Sequence, residues 1–282
     1  MNANQARDTV TPTQIHWSGR TDRGTVRANN EDSFLGLRFD SKEVHHLGKL
    51  GTSSMDEMDF VFAVCDGMGG ALAGEFASRI AIEKITTLLP RTFHQTSTGF
   101  DANYTEVLRE LNAQIHRSLC FLGNSYSECH GMETTLSLCW LTPGWLYFSH
   151  IGDSRIYHLP KASGTLKQLS EDDTHVAWLL RNGKITEHEA RTHPRRNVLQ
   201  KALGGGHQFV DPQVGAVPYE SGDIFLLCSD GLVDGLFEHR LIDLLRSDDS
   251  EAAPDSSAST LVEASLQQSG RDNTTALVVT VR

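Results

Sequence analysis

The feature that most constrains the fold is residues 59–74, which read DFVFAVCDGMGGALAG. Their apolar run, residues 60–65, predicts a short buried strand that ends at Asp66 and Gly67. A carboxylate at the end of a buried strand, followed by a residue without a side chain, brings a carboxyl group and a bare backbone carbonyl to one small cavity. This pattern is typical of oxygen ligands for a hard cation, although Asp-Gly is also a strong turn signal.

Carboxylates stand at the ends of strongly apolar strands at further places along the chain. They are Asp32, Asp153, Asp230 and Asp272. A turn explains Asp153 equally well when it is taken alone. If these strands belong to one sheet system, however, their ends can converge. An all-oxygen pocket without His or Cys favours Mg²⁺ or Mn²⁺ over zinc, and such cations offset the repulsion between crowded carboxylates.

Composition excludes several classes of function. The net charge of -11 argues against nonspecific binding to nucleic acid or to anionic membranes. No apolar run approaches the length of a membrane span, and the polar N-terminus lacks the profile of a signal peptide, so we expect a cytoplasmic protein. The five cysteines form no CxxC pair, which argues against a zinc site and fits buried thiols in a reducing compartment.

The order of apolar patterns predicts strands and helices in one domain over residues 14–282, preceded by a disordered tail, residues 1–13. Helical spacing runs from Ala73 to Leu89, where Pro90 is expected to end the helix, and again from Tyr104 to Leu122. From Thr134 the period changes to that of strands, which predicts an antiparallel meander through residues 155–159.

Residues 170–206, called the flap below, are polar, basic and interrupted. We expect a partly mobile segment over the sheet edge. Its basic side chains could form a lip that holds a phosphorylated partner, and a solvated pair of surface helices explains the same composition equally well.

The chemistry that such a pocket supports is hydrolysis of a phosphate ester. Two divalent cations can lower the pKa of a water molecule, aim it at a phosphoryl group and offset charge in the transition state. No side-chain nucleophile is then needed, and the sequence contains no GxSxG, CxxxxxR, GxxxxGK[ST] or GxGxxG motif.

Five segments carry a family resemblance: RANNEDSF, DGMGG, IGDSR, SDGL and GRDNTT. In this order and at these spacings the chain, from about residue 16 to its end, resembles the bacterial branch of the protein phosphatase 2C family of metal-dependent Ser/Thr phosphatases. The resemblance implies an α+β fold, a four-layer αββα sandwich of two antiparallel β-sheets flanked by helices. It also implies hydrolysis of phosphoserine and phosphothreonine in proteins. We expect a monomer that opposes a bacterial Ser/Thr kinase.

The resemblance implies roles for the aspartates. Asp66 would bridge two metal ions, Mn²⁺ or Mg²⁺, with the Gly67 carbonyl as a further ligand. Asp230 and Asp272 would hold the first ion, and Asp32 would hold the second ion largely through water.

Two further residues match the family. Asp153 resembles the ligand that forms a third, weaker metal site together with Asp230. Arg27 matches the arginine that grips the substrate phosphate, a role suited to its planar fork of donors. Catalysis is thus expected to rest on Asp66, Asp230 and Arg27.

The chain departs from the family pattern at three places. Ala71 stands where many bacterial members have His, so a proton donor to the leaving group is missing there. The usual Gly-Thr-Thr is Glu133-Thr134-Thr135, and the usual Asp-His is Asp172-Asp173. None of these changes removes an expected metal ligand.

Two other functions were weighed against phosphatase activity. The first is a catalytically weak phosphoprotein-binding regulator, a pseudophosphatase, towards which Ala71 alone points. The second is a phosphodiesterase or nuclease, which the net charge and the lack of a basic, aromatic-lined groove disfavour.

Overall fold

The structure is a computed structural model that describes residues 13–40, 42–56, 58–70, 72–96, 103–206, 210–247 and 257–282. The strands are β1 (Gln14–Asp22), β2 (Asp32–Phe39), β3 (Val44–His46), β4 (Leu50–Ser54), β5 (Asp59–Met68), β6 (Glu133–Thr134), β7 (Leu136–Thr142), β8 (Trp145–Ile151), β9 (Arg155–Leu159), β10 (Lys167–Gln168), β11 (Leu203–Gly204), β12 (Gln213–Pro218), β13 (Ile224–Cys228) and β14 (Thr274–Val281). The α-helices are α1 (Ala73–Thr96), α2 (Tyr104–Ser125), α3 (His175–Arg181), α4 (Glu187–Thr192), α5 (Asp230–Gly235), α6 (Glu238–Ser247) and α7 (Ser257–Gln268).

The strands form two antiparallel sheets within these residues. The first sheet has the order β10-β9-β13-β14-β1-β4. The second has the order β11-β6-β5-β7-β8-β12, with β2 paired to β5 and β3 paired to β2. Because neighbouring strands run in opposite directions, the end of one strand lies beside the start of the next.

Strand β5 contains the continuous apolar run at residues 60–65, and it is covered on both faces. Phe60, Phe62 and Val64 lie between the two sheets, whereas Val61 and Cys65 face the helices on the outer side of the second sheet. Since successive side chains of a strand point to opposite faces, a strand that is covered on both faces must be apolar at every position.

Helices cover both outer faces of the sandwich. Helices α1 and α2 pack on the second sheet through side chains that include Ile85, Leu108 and Ile115. Helices α5, α6 and α7 pack on the first sheet through Leu232, Leu245 and Leu261. The expected four-layer αββα sandwich is therefore confirmed.

Two details of the sequence prediction are wrong. Pro90 lies inside α1 and does not end it. A proline costs one helical hydrogen bond, and Ile85 and Leu89 are both fully buried in the core just before it, so packing holds the helix there.

The predicted meander is also broken, because β9 pairs with β10 and β13 of the first sheet while β8 pairs with β7 and β12 of the second. The chain thus crosses between the sheets at Gly152 and Asp153.

Several predictions fall outside the described residues. They concern residues 1–12 of the proposed tail and Ala71. Among the helices that the structure describes, none is both long and apolar enough to cross a membrane.

Candidate active site

Four of the predicted aspartates meet at one end of the sandwich. Asp66, Asp153, Asp230 and Asp272 line a single cavity of about 370 Å³, together with Arg27. The complete lining is Arg27, Ala28, Asn29, Glu31, Asp66, Gly67, Met68, Gly69, Gly70, Asp153, Asn197, Asp230, Asp272 and Asn273. We call this space the catalytic cavity.

The antiparallel sheets explain this convergence. Strand β13 ends at Cys228, which pairs with Ala276 near the start of β14, so Asp230 and Asp272 fall at the same edge. In the second sheet, Asp66 lies near the end of β5 and Asp153 lies at the crossing that follows β8. Residues distant in sequence therefore reach one cavity because strand ends alternate with strand starts along an edge.

Two threonines hold the backbone of Asp66. The Asp66 carbonyl accepts hydrogen bonds from the Thr134 hydroxyl and from the Thr135 amide, each at 2.9 Å. The Asp66 amide donates to Thr135 Oγ1 at 2.9 Å, and the same hydroxyl lies 2.7 Å from Ser154 Oγ. Thr135 thus links the strand that carries Asp66 to the crossing that carries Asp153.

Gly67 lies where a side chain would not fit. A Cβ atom at this position would overlap the carbonyl oxygen of Gly74 and would lie 2.9 Å from that of Glu31. The Gly67 amide donates to the Glu31 carbonyl at 3.1 Å. The bare backbone of Gly67 therefore forms part of the cavity wall, as the sequence predicts.

Asp32 is not among the residues that line the catalytic cavity. Its Oδ2 accepts hydrogen bonds from Ser229 Oγ at 2.7 Å and from Thr275 Oγ1 at 2.6 Å. Its Oδ1 is buried and has no partner among the described residues. The preceding residue, Glu31, lines the cavity instead. Burial raises the pKa of Asp32 to about 6, against the effect of the two hydroxyl donors.

The buried carboxylates destabilise one another. Burial raises the pKa of Asp66 and of Asp230 well above its ordinary value, and the neighbouring carboxylates raise both further. The pKa of Asp153 rises to about 7, again mainly through burial. A group of oxygen donors with this excess of negative charge, including the unpartnered Oδ1 of Asp32, fits divalent cations of the Mg²⁺ and Mn²⁺ class.

The carboxylates line the cavity without meeting at one point. In the part of the chain that the structure describes, no three His, Cys, Asp or Glu side chains stand close enough together, as they lie, to share one ion. Arg27 is half-exposed and its Nη2 lies 2.7 Å from Asp272 Oδ2. This hydrogen bond raises the pKa of Arg27, so the guanidinium remains charged at the cavity wall.

Asn273 helps to build the site, although the sequence did not predict it as a site residue. Asn273 accepts a hydrogen bond from the Glu31 amide at 2.8 Å and donates to the carbonyls of Arg23 and Asn29, each at 2.9 Å. It thereby fixes the loop that carries Arg27. The Asp-Asn pair within GRDNTT was the available signal, since Asn commonly satisfies loop backbone.

The Asp172-Asp173 pair, one of the departures from the family pattern, is held by an ion pair and hydrogen bonds. Asp172 forms a bidentate pair with Arg155, at 2.9 Å from Nε and 2.6 Å from Nη2. Asp173 accepts the Gly152 amide at 3.1 Å and donates its own amide to the Gly152 carbonyl at 2.7 Å. Both aspartates therefore brace the crossing that carries Asp153.

The chain is similar to known bacterial phosphatases. A serine/threonine phosphatase Stp of Listeria welshimeri is 34% identical over 267 residues, which cover 94% of this chain and 95% of that protein. The crystal structure of the Mycobacterium tuberculosis serine/threonine phosphatase PstP/Ppp is 31% identical, with a TM-score of 0.75 over 95% of this chain and 98% of that one.

A further solved structure holds metal. The catalytic domain of the phosphatase PstP in complex with two manganese ions is 30% identical, with a TM-score of 0.74 over 95% of this chain and 99% of that one. The sequence model described as protein phosphatase 2C matches residues 49–268. The fold agrees with these matches, and the chain belongs to the protein phosphatase 2C family.

Proposed function

We propose that this chain is a metal-dependent protein serine/threonine phosphatase that hydrolyses phosphoserine and phosphothreonine esters with water as the nucleophile. The observation that carries the proposal is the meeting of Asp66, Asp153, Asp230 and Asp272 around one cavity that also contains Arg27. Family membership and the names of the relatives support the same activity and do not favour a binding regulator.

We assign the metal sites as the resemblance implies. Asp66 and the Gly67 carbonyl would face two Mn²⁺ or Mg²⁺ ions, Asp230 and Asp272 the first, and Asp32 the second through water. Because Glu31 rather than Asp32 lines the cavity, we add Glu31 to the second site. A third, weaker site would use Asp153 with Asp230. When bound, the ions would lower the pKa of water and offset negative charge on the phosphoryl group.

Arg27 binds the substrate in this account. Its guanidinium lies at the cavity wall and presents a planar fork of donors suited to a phosphate. Asp272 holds that guanidinium at 2.7 Å and thereby orients it. Arg27 would position the phosphate on one side, and the buried carboxylates on the other side would hold the ions that offset its negative charge.

The remaining parts of the proposal concern partners and place. The substrates would be phosphorylated proteins, including a Ser/Thr kinase and its targets, and the protein would act as a cytoplasmic monomer. The catalytic unit would span residues 14–282 and include the flap.

Hydrolysis of an aryl phosphate and of a phosphothreonine peptide tests the proposal. We expect turnover with Mn²⁺, loss of turnover with EDTA, and loss in Asp66→Asn and Asp230→Asn. Asp243→Asn is the matched control, since Asp243 is exposed on α6 and lies outside the cavity lining. Equal turnover in all these conditions would remove the metal mechanism, and no turnover with Mn²⁺ on either substrate would favour the binding regulator.

A further inference from the structure

A second cavity opens beside the catalytic cavity, between the flap and helices α5 and α6. We call it the side pocket. It has a volume of about 300 Å³ and shares Asp153, Asn197 and Asp230 with the catalytic cavity. A peptide whose phosphate lies in the catalytic cavity would therefore carry its neighbouring side chains past the side pocket.

Part of the side pocket wall is apolar. Val176 and Leu180 of α3 and Val233 of α5 line it, and the small side chains of Ala177 and Ala190 leave room between the helices. Val176 and Val233 are themselves buried. A long side chain with an aliphatic stem can pack along such a wall while its polar end stays near water.

The charges of the side pocket are mostly negative. Its lining includes six carboxylates and three arginines, which are Asp153, Asp172, Glu187, Asp230, Asp234, Glu238, Arg155, Arg191 and Arg196. The negative excess disfavours a second phosphate or an acidic side chain as the occupant.

Each arginine is already engaged. Arg155 forms the bidentate pair with Asp172, and Arg196 Nη2 lies 3.0 Å from Asp234 Oδ2. The Arg191 guanidinium lies over the ring of Phe237, at 4.3 Å from its centroid. Of the two flap arginines that line the pocket, Arg196 is paired with a carboxylate and Arg191 is stacked on an aromatic ring.

Two carboxylates of the pocket are exposed and lack a cationic partner among the described residues. They are Glu187, in the first turn of α4, and Glu238, in the first turn of α6. They stand on the two sides of the pocket, one on the flap and one on the body of the protein. An exposed carboxylate of this kind is available to a cation supplied by a ligand.

We propose that the side pocket binds an arginine or lysine side chain of the phosphoprotein substrate, at a fixed offset from the phosphorylated residue. The aliphatic stem would pack on Val176 and Leu180, and the charged end would face Glu187 and Glu238. Arginine fits better than lysine, because its planar fork can bond two carboxylates at once. This inference rests on the proposed phosphatase function and names a substrate class for it.

The test uses a series of phosphothreonine peptides. Each peptide has one arginine at a different position on either side of the phosphothreonine and alanine at the other flanking positions. We expect kcat/KM to rise about fivefold at one or two positions only, which corresponds to about 1 kcal/mol. The ratio of the arginine peptide to the alanine peptide should fall to about one in the double variant Glu187→Gln, Glu238→Gln. Because the ratio is taken within each variant, a general loss of activity cancels.

Two further variants sharpen the test. Glu220→Gln removes the same charge near the start of β13, at the other end of the first sheet, and should keep the full ratio. Glu187→Lys should shift the preference towards a peptide with glutamate at the same position. Thermal unfolding of each variant is measured in parallel, because carboxylates in a first helical turn also stabilise the helix.

Several results would overturn the inference. An equal preference at every position would reflect general attraction to a chain of net charge -11 and not a pocket. An absent preference, or one that survives in the double variant, would also contradict it. No hydrolysis of any phosphopeptide or aryl phosphate with Mn²⁺ would instead overturn the proposed function, and the inference with it.

Discussion

Thr135→Val tests the link between the two halves of the site. The Thr135 hydroxyl is fully buried, accepts the Asp66 amide at 2.9 Å and lies 2.7 Å from Ser154 Oγ. Valine has nearly the same shape and lacks the oxygen. The substitution therefore leaves the Asp66 amide and the Ser154 hydroxyl without this partner while it preserves packing against Gly152.

The size of the effect follows from these two groups. A buried polar group left unpaired costs about 1 to 3 kcal/mol, so with two such groups the free energy of unfolding should fall by about 2 to 6 kcal/mol. The Asp66 backbone and the crossing that carries Asp153 also lose the hydroxyl that links them. We therefore expect the affinity for Mn²⁺ to fall about tenfold or more, since a small misplacement of ligands weakens a metal site strongly.

Chemical denaturation and calorimetric titration with Mn²⁺ measure the two effects separately. Thr135→Ser is the matched control, because it keeps the oxygen and removes only a methyl group, and it should restore most of the Mn²⁺ affinity. If Thr135→Val bound Mn²⁺ as tightly as the wild type, or lost less than about 1 kcal/mol of stability, the hydroxyl would not link the Asp66 strand to the crossing that carries Asp153.

Three further predictions address other parts of the chain. Burial raises the pKa of Asp59 to about 6, so its stabilising contribution is present below about pH 4 and is lost as the pH rises through 6. Asp59→Asn should therefore gain about 3 kcal/mol of stability over the wild type between pH 4 and pH 7 in denaturant titrations. Stability curves that stay parallel over this pH range would refute this. Arg27→Lys should lower kcat/KM for an aryl phosphate about tenfold, because lysine lacks the planar fork; unchanged kinetics would exclude Arg27 from phosphate binding. Gly67→Ala should lower the melting temperature and the Mn²⁺ affinity, because its Cβ would overlap the Gly74 carbonyl oxygen, whereas Gly48→Ala, whose nearest neighbour would lie at 3.7 Å, should change neither.

The sequence identified the strands that carry the site but not how they pair. Strand β5 was predictable because an uninterrupted apolar run needs cover on both faces. The crossing at Gly152 and Asp153 was not predictable from a repeating strand and turn pattern. The sequence of a short turn between two strands is similar whether the second strand joins the same sheet or the other one. Packing in the hydrophobic cores on either side decides which sheet the strand joins.

The roles of Glu31 and Asp32 show a similar limit. Two consecutive carboxylates at the start of a strand must point in opposite directions. The sequence alone does not say which one lines the cavity, because that depends on the strands packed around them, among them β5, whose Asp66 pairs with Asp32. Ser229 and Thr275, which hold Asp32, come from the first sheet and were invisible to local patterns.

Residues with a backbone role were hardest to foresee. Thr135 and Asn273 carry no charge and bind no expected ion, yet each satisfies backbone groups of a loop or strand that bears a predicted functional side chain. Such contacts span long sequence separations, so periodicity and spacing cannot reveal them. The carboxylates could be predicted because they recur at several strand ends and share one metal-binding chemistry, whereas the hydroxyls and amides show no such pattern.

The most direct test of the central claim is a Mn²⁺ titration of the wild type and of Asp66→Asn, followed by the loss of the free-ion paramagnetic resonance signal. We expect tight binding of two ions to the wild type, a marked loss of affinity in Asp66→Asn, and wild-type behaviour of Asp243→Asn. Identical titrations for the wild type and Asp66→Asn would contradict it.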